Sequence, residues 1–156
     1  MLRTRLNDAL KDAMKAKDQC ATATLRLILA ALKDRDIASR GNGASEGVSD
    51  DQILELLQKM IRQRQDSIEA FKTGSRQDLV EKEEQEIRVI ERFLPKPLSE
   101  EEAREAIEGV ISELEASTIK DMGKVMGALK AKYTGQMDFG KVGPMVKDQL
   151  CSAGGC

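Results

Sequence analysis

The sequence predicts an all-α protein in two modules: an N-terminal four-helix domain made of two helical hairpins, then a small three-helix C-terminal domain. Three observations carry this. Aromatics are 3% of the 156 residues and Trp is absent, so Leu, Ile, Val, Met and Ala must fill the core, which suits helix-on-helix packing. Apolar residues recur at helical spacing in segment after segment. Finally, Pro95-Lys96-Pro97 breaks the pattern, because each proline lacks a backbone N–H and disfavours helical geometry in the residue before it.

Taken in order, Leu2, Leu6, Leu10 and Met14 mark a first helix, and Leu25, Ile28, Leu29 and Leu32 mark a second beyond Lys17-Asp18. Folded back, Leu10 meets Leu25, Leu6 meets Leu29 and Leu2 meets Leu32, the register of a helical hairpin. Residues 39–48, with Gly41, Gly43 and Gly47 among polar neighbours, read as a flexible loop. Ser49 and Gln52 form a capping-box signal for a third helix carrying Ile53, Leu54, Leu57, Met60, Ile61, Ile68 and Phe71. Gly74 ends it. A fourth helix then starts near Ser75 and aligns Leu79, Val80, Ile87, Ile90 and Leu94. Folding at Gly74 pairs Ile68 with Val80, Ile61 with Ile87, Leu57 with Ile90 and Leu54 with Leu94. The same register sets Arg64 level with Glu83 and Glu84 and predicts an ion pair inside the hairpin.

Beyond the Pro95–Pro97 junction, Ser99 and Glu102 signal a fifth helix with Ala103, Ala106, Ile107, Val110, Ile111 and Leu114 inward, its acidic first turn suiting the helix dipole. Thr118 and Asp121 signal a sixth, from Lys120 to Tyr133 and closed by Gly135. Asp138 caps a seventh, near Phe139 to Leu150, which Pro144 should kink or delay. The domain limits are therefore 1–95 and 99–150, joined by a Pro-rich junction at 96–98. Residues 151–156, CSAGGC, are expected to be a disordered tail.

Composition narrows the function classes. Charged residues are 33% of the chain but the net charge is −2, so no global field marks a nucleic-acid or membrane binder. The charge is unevenly spread: residues 75–116 carry 6 basic and 13 acidic groups, residues 117–150 carry 6 and 3. No apolar run is long enough to span a bilayer and the first residues lack the apolar core of a signal peptide, which points to the cytoplasm. Cys20, Cys151 and Cys156 make no disulfide framework, and without His they make no zinc site. A Cys151–Cys156 pair could close a redox-sensitive loop or chelate a metal, with a plain tail as the alternative. The sequence offers no catalytic set, no metal ligands and no cofactor motif.

The binding candidates lie in the C-terminal module. Projected at about 100° per residue, Met122, Val125, Met126, Leu129 and Tyr133 form the buried face of the sixth helix. Lys120 and Lys124 lie opposite, Lys130 and Lys132 flank the buried face, and Gly123 and Gly127 sit beside the lysines. A bare backbone rimmed by ammonium groups lets a nucleic-acid backbone approach; the alternative is that the fifth or seventh helix packs there. Lys141 and Lys147 add two charges on the last helix. Arginine forks and stacking aromatics are lacking, so any RNA specificity would come from shape.

Four segments resemble the YqeY family of small bacterial helical proteins, over essentially residues 1–150: LRLILAALK at 25–33, RQDSIEAFKTGSRQDLVEKEEQEI at 64–87, FLPKPLSEEE at 93–102 and KDMGKVMGALK at 120–130. The C-terminal module of that family resembles the tail domain of GatB, a subunit of the glutamine-dependent amidotransferase that corrects mischarged Glu-tRNA or Asp-tRNA. In GatB this tail contacts tRNA. The resemblance thus implies an accessory RNA-binding protein contacting tRNA through residues 99–150, linked to carbon-nitrogen ligase chemistry with glutamine as amido donor. A partner in the translation or tRNA-aminoacylation machinery is implied by the same route. The parts of GatB that carry its catalytic sites have no counterpart in this chain, and neither has the Ser-Ser-Lys set of an amidase. A non-catalytic protein–protein interaction module is the alternative reading.

Overall fold

The computed structural model describes residues 1–43 and 47–152, and it is all-helical with no strand among them. The elements are α1 (Leu2–Lys15), α2 (Gln19–Gly41), α3 (Asp50–Thr73), α4 (Gln77–Glu91), α5 (Glu100–Glu113), α6 (Met122–Tyr133) and α7 (Phe139–Leu150), with a 3-10 turn at Ile119–Asp121 before α6. Two compact units result, Met1–Pro95 and Lys96–Cys156.

In the first unit α1 packs on α2 and α3 on α4, and α2 against α4 joins the two hairpins. Leu6, Ile28, Leu32, Ile53, Leu57 and Ile90 are fully buried in one core. Thr24, a buried polar side chain in this unit, donates to the Cys20 carbonyl at 2.8 Å. In α1 the fourth inward residue is Ala13, and Met14 is half exposed. Stepping by four drifts about 40° each time, so the third step from Leu2 leaves the core face while Ala13 stays on it. On α4, Val89 is buried beside Val80 and Ile90, with Phe93 buried just past its end, because that helix touches α2 as well as α3 and needs a wider apolar arc.

The ion pair inside the second hairpin exists with a different acid. Arg64 Nε donates to Glu86 at 3.0 Å, with both side chains at most 15% exposed, and not to Glu83 or Glu84. The reason is side-chain direction. Helical side chains lean toward their own N-terminus, and Arg64 Nη1 also donates to the Met60 carbonyl one turn back. A guanidinium drawn back along α3 meets a position further along the antiparallel α4.

The tight turns share one geometry. After α1, α3 and α5 the chain passes through Lys17, Ser75 and Glu115 at φ 57, 55 and 52. In each case the next N–H reaches back to close the helix: Asp18 to Ala13, Arg76 to Phe71 and Ala116 to Ile111, at 2.9 to 3.0 Å. These are Schellman closures with a side-chain-bearing residue where glycine is usual. Gly74 itself has φ −84, so the left-handed step lies at Ser75 and α4 begins at Gln77.

Within the expected loop at 39–48, α2 continues to Gly41, and residues 44–46 lie outside the described residues. The loop returns over a fixed point. Arg3 grips Asp36 through two bonds of 2.7 and 2.9 Å, and Asp36 accepts the Val48 N–H at 3.0 Å. The guanidinium and that N–H hold the Asp36 carboxyl down at about 2. Gly47 passes close above at φ +81, where a Cβ would sit 2.7 Å from the Asp36 carboxylate. Ser49 and Gln52 then form both bonds of their capping box.

In the second unit α6 packs against both α5 and α7, and Ile107, Val125, Leu129, Val146 and Leu150 are fully buried. The Leu98 N–H donates to the Gln136 carbonyl at 3.0 Å and ties the start of the unit to the turn before α7. Ser99 caps α5 by accepting from the Glu102 N–H. Asp138 caps α7 at Phe139, so Pro144 does not delay that helix; it withholds one N–H from the Gly140 carbonyl. Cys151 and Ser152 extend α7 by a π-turn, and Cys20 is a free thiol. The rest of the expected tail, 153–156, lies outside the described residues.

Candidate functional site

The helix that carries the binding candidates is held from two sides. Val125 and Leu129 anchor α6 in the core, with Met122, Met126, Ala128 and Tyr133 packed partly against it. Gly123, Lys124, Gly127 and Ala131 are exposed on the far side. A Cβ built on Gly123 or on Gly127 meets nothing within 4 Å. Neither α5 nor α7 packs on that face, so the two glycines are not there for a helix crossing. Lys120, on the 3-10 turn just before α6, is exposed too.

The lysines differ in what surrounds them. Lys132 is bound by Glu113 of α5, and this bond raises its pKa above the ordinary lysine value. Lys130 holds its ammonium 6.0 Å from the ring centre of Phe139 on α7. Two residues apart on a helix means about 160° apart in projection, so these two mark opposite edges of α6. Lys124 is adjacent to Asp121, whose carboxyl lies below the usual range because the Ser117 and Thr118 N–H groups donate to it and, secondarily, because Lys124 is close. Lys120, Lys124, Lys141 and Lys147 form no ion pair among the described residues.

One face therefore brings together Lys120, Gly123, Lys124 and Gly127, with Lys130 at its α7 edge. Lys132 is turned to Glu113, while Lys141 and Lys147, exposed on α7, point about 120° apart in projection. The positive field is local: residues 96–156 carry eight basic and ten acidic side chains, and seven of the acids lie between Glu100 and Glu115. Sequence reasoning missed Glu113 and Phe139 as neighbours of the lysines. It also missed Gly109 on α5, which like Gly123 and Gly127 has open space above it.

Elsewhere, four alanines (Ala9, Ala13, Ala16 and Ala21) leave a groove of about 300 Å³ between α1, α2 and the end of α4. Asp12, Asp18 and Arg92 rim it, and Asp18 is already engaged in capping α2 through the Ala21 N–H. Among the described residues no cluster of His, Cys, Asp or Glu is placed to hold a metal ion, and no helix is long and apolar enough to cross a membrane.

Comparison with known proteins gives a consistent picture. The family model for YqeY, described as Yqey-like protein, matches residues 3–150. Curated relatives are fungal proteins named "Altered inheritance of mitochondria protein 41, mitochondrial". The protein of Lachancea thermotolerans is 39% identical over 114 residues, 72% of this chain and 59% of its own length. That of Saccharomyces cerevisiae is 37% identical over 97 residues, covering 62% and 50%, and that of Kluyveromyces lactis is 39% identical over 88 residues, covering 56% and 45%. The chain thus spans about half the length of the relatives it matches.

Proposed function

This chain belongs to the YqeY family, and from that membership we propose that it is an accessory RNA-binding protein contacting tRNA through the open face of α6. The observation that carries the reading is the pair Gly123 and Gly127. Gly127 costs about 1 kcal/mol of helix stability relative to alanine and Gly123, in the first turn, about half of that; each has nothing packed on it, and Lys120 and Lys124 border them. A sugar–phosphate backbone is a ligand that uses bare backbone and ammonium groups together, because it needs close approach and charge but no base readout. The likeness of the module to the GatB tail points the same way. In this reading the chain assists glutamine-dependent amidotransfer on tRNA by holding the RNA, and the carbon-nitrogen ligase chemistry belongs to a partner of the aminoacylation machinery.

The charges set the expected strength. About three to five lysines on phosphates give weak binding whose affinity falls with salt at a log–log slope of about −2 to −4. Filter binding of total tRNA to the full chain, from low to physiological salt, measures this. Changing Lys120, Lys124 and Lys130 to Glu should abolish retention. Equal binding by that variant, or a flat salt dependence, would refute the mapping. We place the protein in the cytoplasm; the relatives carry the word mitochondrial in their names, and fractionation of cells producing the chain decides the compartment.

A further inference from the structure

The helix α2 carries two apolar stripes, and only one is used. Leu25, Ile28 and Leu32 are in the core. On the opposite side Ala23, Leu27, Ala30 and Ile37 are exposed, Leu27 by 52% and Ile37 by 57%. The positions 23, 27, 30, 34 and 37 alternate steps of four and three, the 3.5-residue period of a coiled-coil seam. Asp34 fills the remaining seam position. Arg26, Lys33 and Arg40, all exposed, follow one edge of the seam at seven-residue intervals, and Ala31 and Ala38 follow the other.

We propose that this outer face of α2 docks an amphipathic helix of a partner protein whose edge carries acidic residues at heptad spacing. The alanines let a second helix come close, and Leu27 and Ile37 are the anchors that would leave water. The basic edge selects the partner's charge. A second copy of this chain does not fit: antiparallel pairing sets Arg26 against Arg40 and Lys33 against Lys33, and parallel pairing sets the cations against alanines. A lipid surface does not fit either, because Asp34 stands in the middle of the stripe and large inserting side chains are few. Asp34 further asks for a cation or hydrogen-bond donor at one place in the partner's seam, which fixes register. This inference is independent of the RNA reading, which concerns the other unit.

The probe is a labelled synthetic helix of about three heptads with leucine in the seam, lysine opposite Asp34 and glutamate along its edges, beside a twin with lysine edges. Fluorescence anisotropy with the full chain should show the glutamate-edged helix binding about tenfold tighter or more. Leu27→Gln with Ile37→Gln should weaken it by a similar factor, while Arg26→Glu, Lys33→Glu and Arg40→Glu together should reverse the preference between the twins. All five positions are exposed, and circular dichroism checks that each variant stays folded. Equal binding of the twins, or none, overturns the proposal. So does retention on phosphatidylglycerol–phosphatidylcholine vesicles without a preference between the peptides, which assigns the face to a membrane. A dimer in sedimentation that the Leu27/Ile37 variant dissolves assigns it instead to a second copy.

Discussion

Replacing Gly127 by alanine should make the protein more stable and a worse RNA binder, and the two effects come from one added methyl. Gly127 lies in the interior of α6 with nothing within 4 Å of the position its Cβ would take. The change therefore brings no clash and no burial, and the gain is the propensity difference of about 1 kcal/mol. Gly123 is the second residue of α6, so its replacement gains less, about 0.5 kcal/mol. For a chain of this length the pair should raise the midpoint of thermal unfolding by about 3 to 6 °C. The same methyls stand on the face bordered by Lys120 and Lys124, where they hold a ligand backbone off by about the width of a methyl group. Loss of one or two phosphate contacts should flatten the salt dependence of tRNA binding by about one unit of slope per contact.

Gly109→Ala is the control. It too has open space above it in a helix interior, so it should gain a similar stability while leaving tRNA binding unchanged. Thermal unfolding followed by circular dichroism and filter binding at several salt concentrations read both effects on the same preparations. A fall in stability on Gly127→Ala would mean that the face is covered, and the open-surface geometry would be wrong. A rise in stability with tRNA affinity and salt slope intact would leave the geometry standing and remove the functional reading.

Further expectations test the scaffold. Asp36→Asn should cost about 2 kcal/mol at neutral pH, from a carboxyl held at about 2 against 3.8 when free. Because the folded-state value is the lower one, that contribution is complete above about pH 4 and fades as pH falls toward 2, so wild type and variant should converge in acid denaturant titrations. Gly47→Ala should destabilise by more than 1 kcal/mol in urea unfolding, since it combines φ +81 with a Cβ 2.7 Å from Asp36. Ser75→Gly should raise stability by about 0.5 to 1 kcal/mol, because Ser75 sits exposed at φ 55 with a side chain that glycine lacks; unchanged or lower stability would refute the strain assigned to that turn. Arg64→Ala should cost about 1 to 3 kcal/mol by leaving the mostly buried Glu86 without its cation, and Arg64→Ala with Glu86→Gln should recover part of the loss.

Much of the fold was legible because helical period and capping residues are local signals. The all-helical class and the capped starts of α3 at Ser49 and of α5 at Ser99 follow from residues within one or two turns of each other. What could not be read depends on neighbours. Glu86 takes Arg64 in place of Glu83 or Glu84 because an arginine reaches back a turn before it crosses, which position numbers do not encode. The left-handed steps at Lys17, Ser75 and Glu115 carry no glycine to announce them. In α2 the run Leu25-Arg26-Leu27-Ile28-Leu29 is apolar on nearly every side, so periodicity found the inner stripe and could not show that Leu27 and Ile37 form an outer one.

The candidate site divides along the same line. Projection of α6 was sufficient to place Gly123 and Gly127 away from the core, since that is a property of one helix. Whether the face was open depended on where α5 and α7 run, and so did the fate of the lysines. Equal spacing along the chain gave Lys130 and Lys132 equal standing, but α5 brings Glu113 to one and α7 brings Phe139 to the other. An ammonium already neutralised by a carboxylate releases little counterion when a phosphate arrives. The working charge of the face is therefore smaller than a count of lysines suggests. It follows that Lys132→Ala should change the salt slope of tRNA binding less than Lys124→Ala does, measured side by side by filter binding. An equal or larger effect at Lys132 would show that Glu113 yields its partner to the RNA.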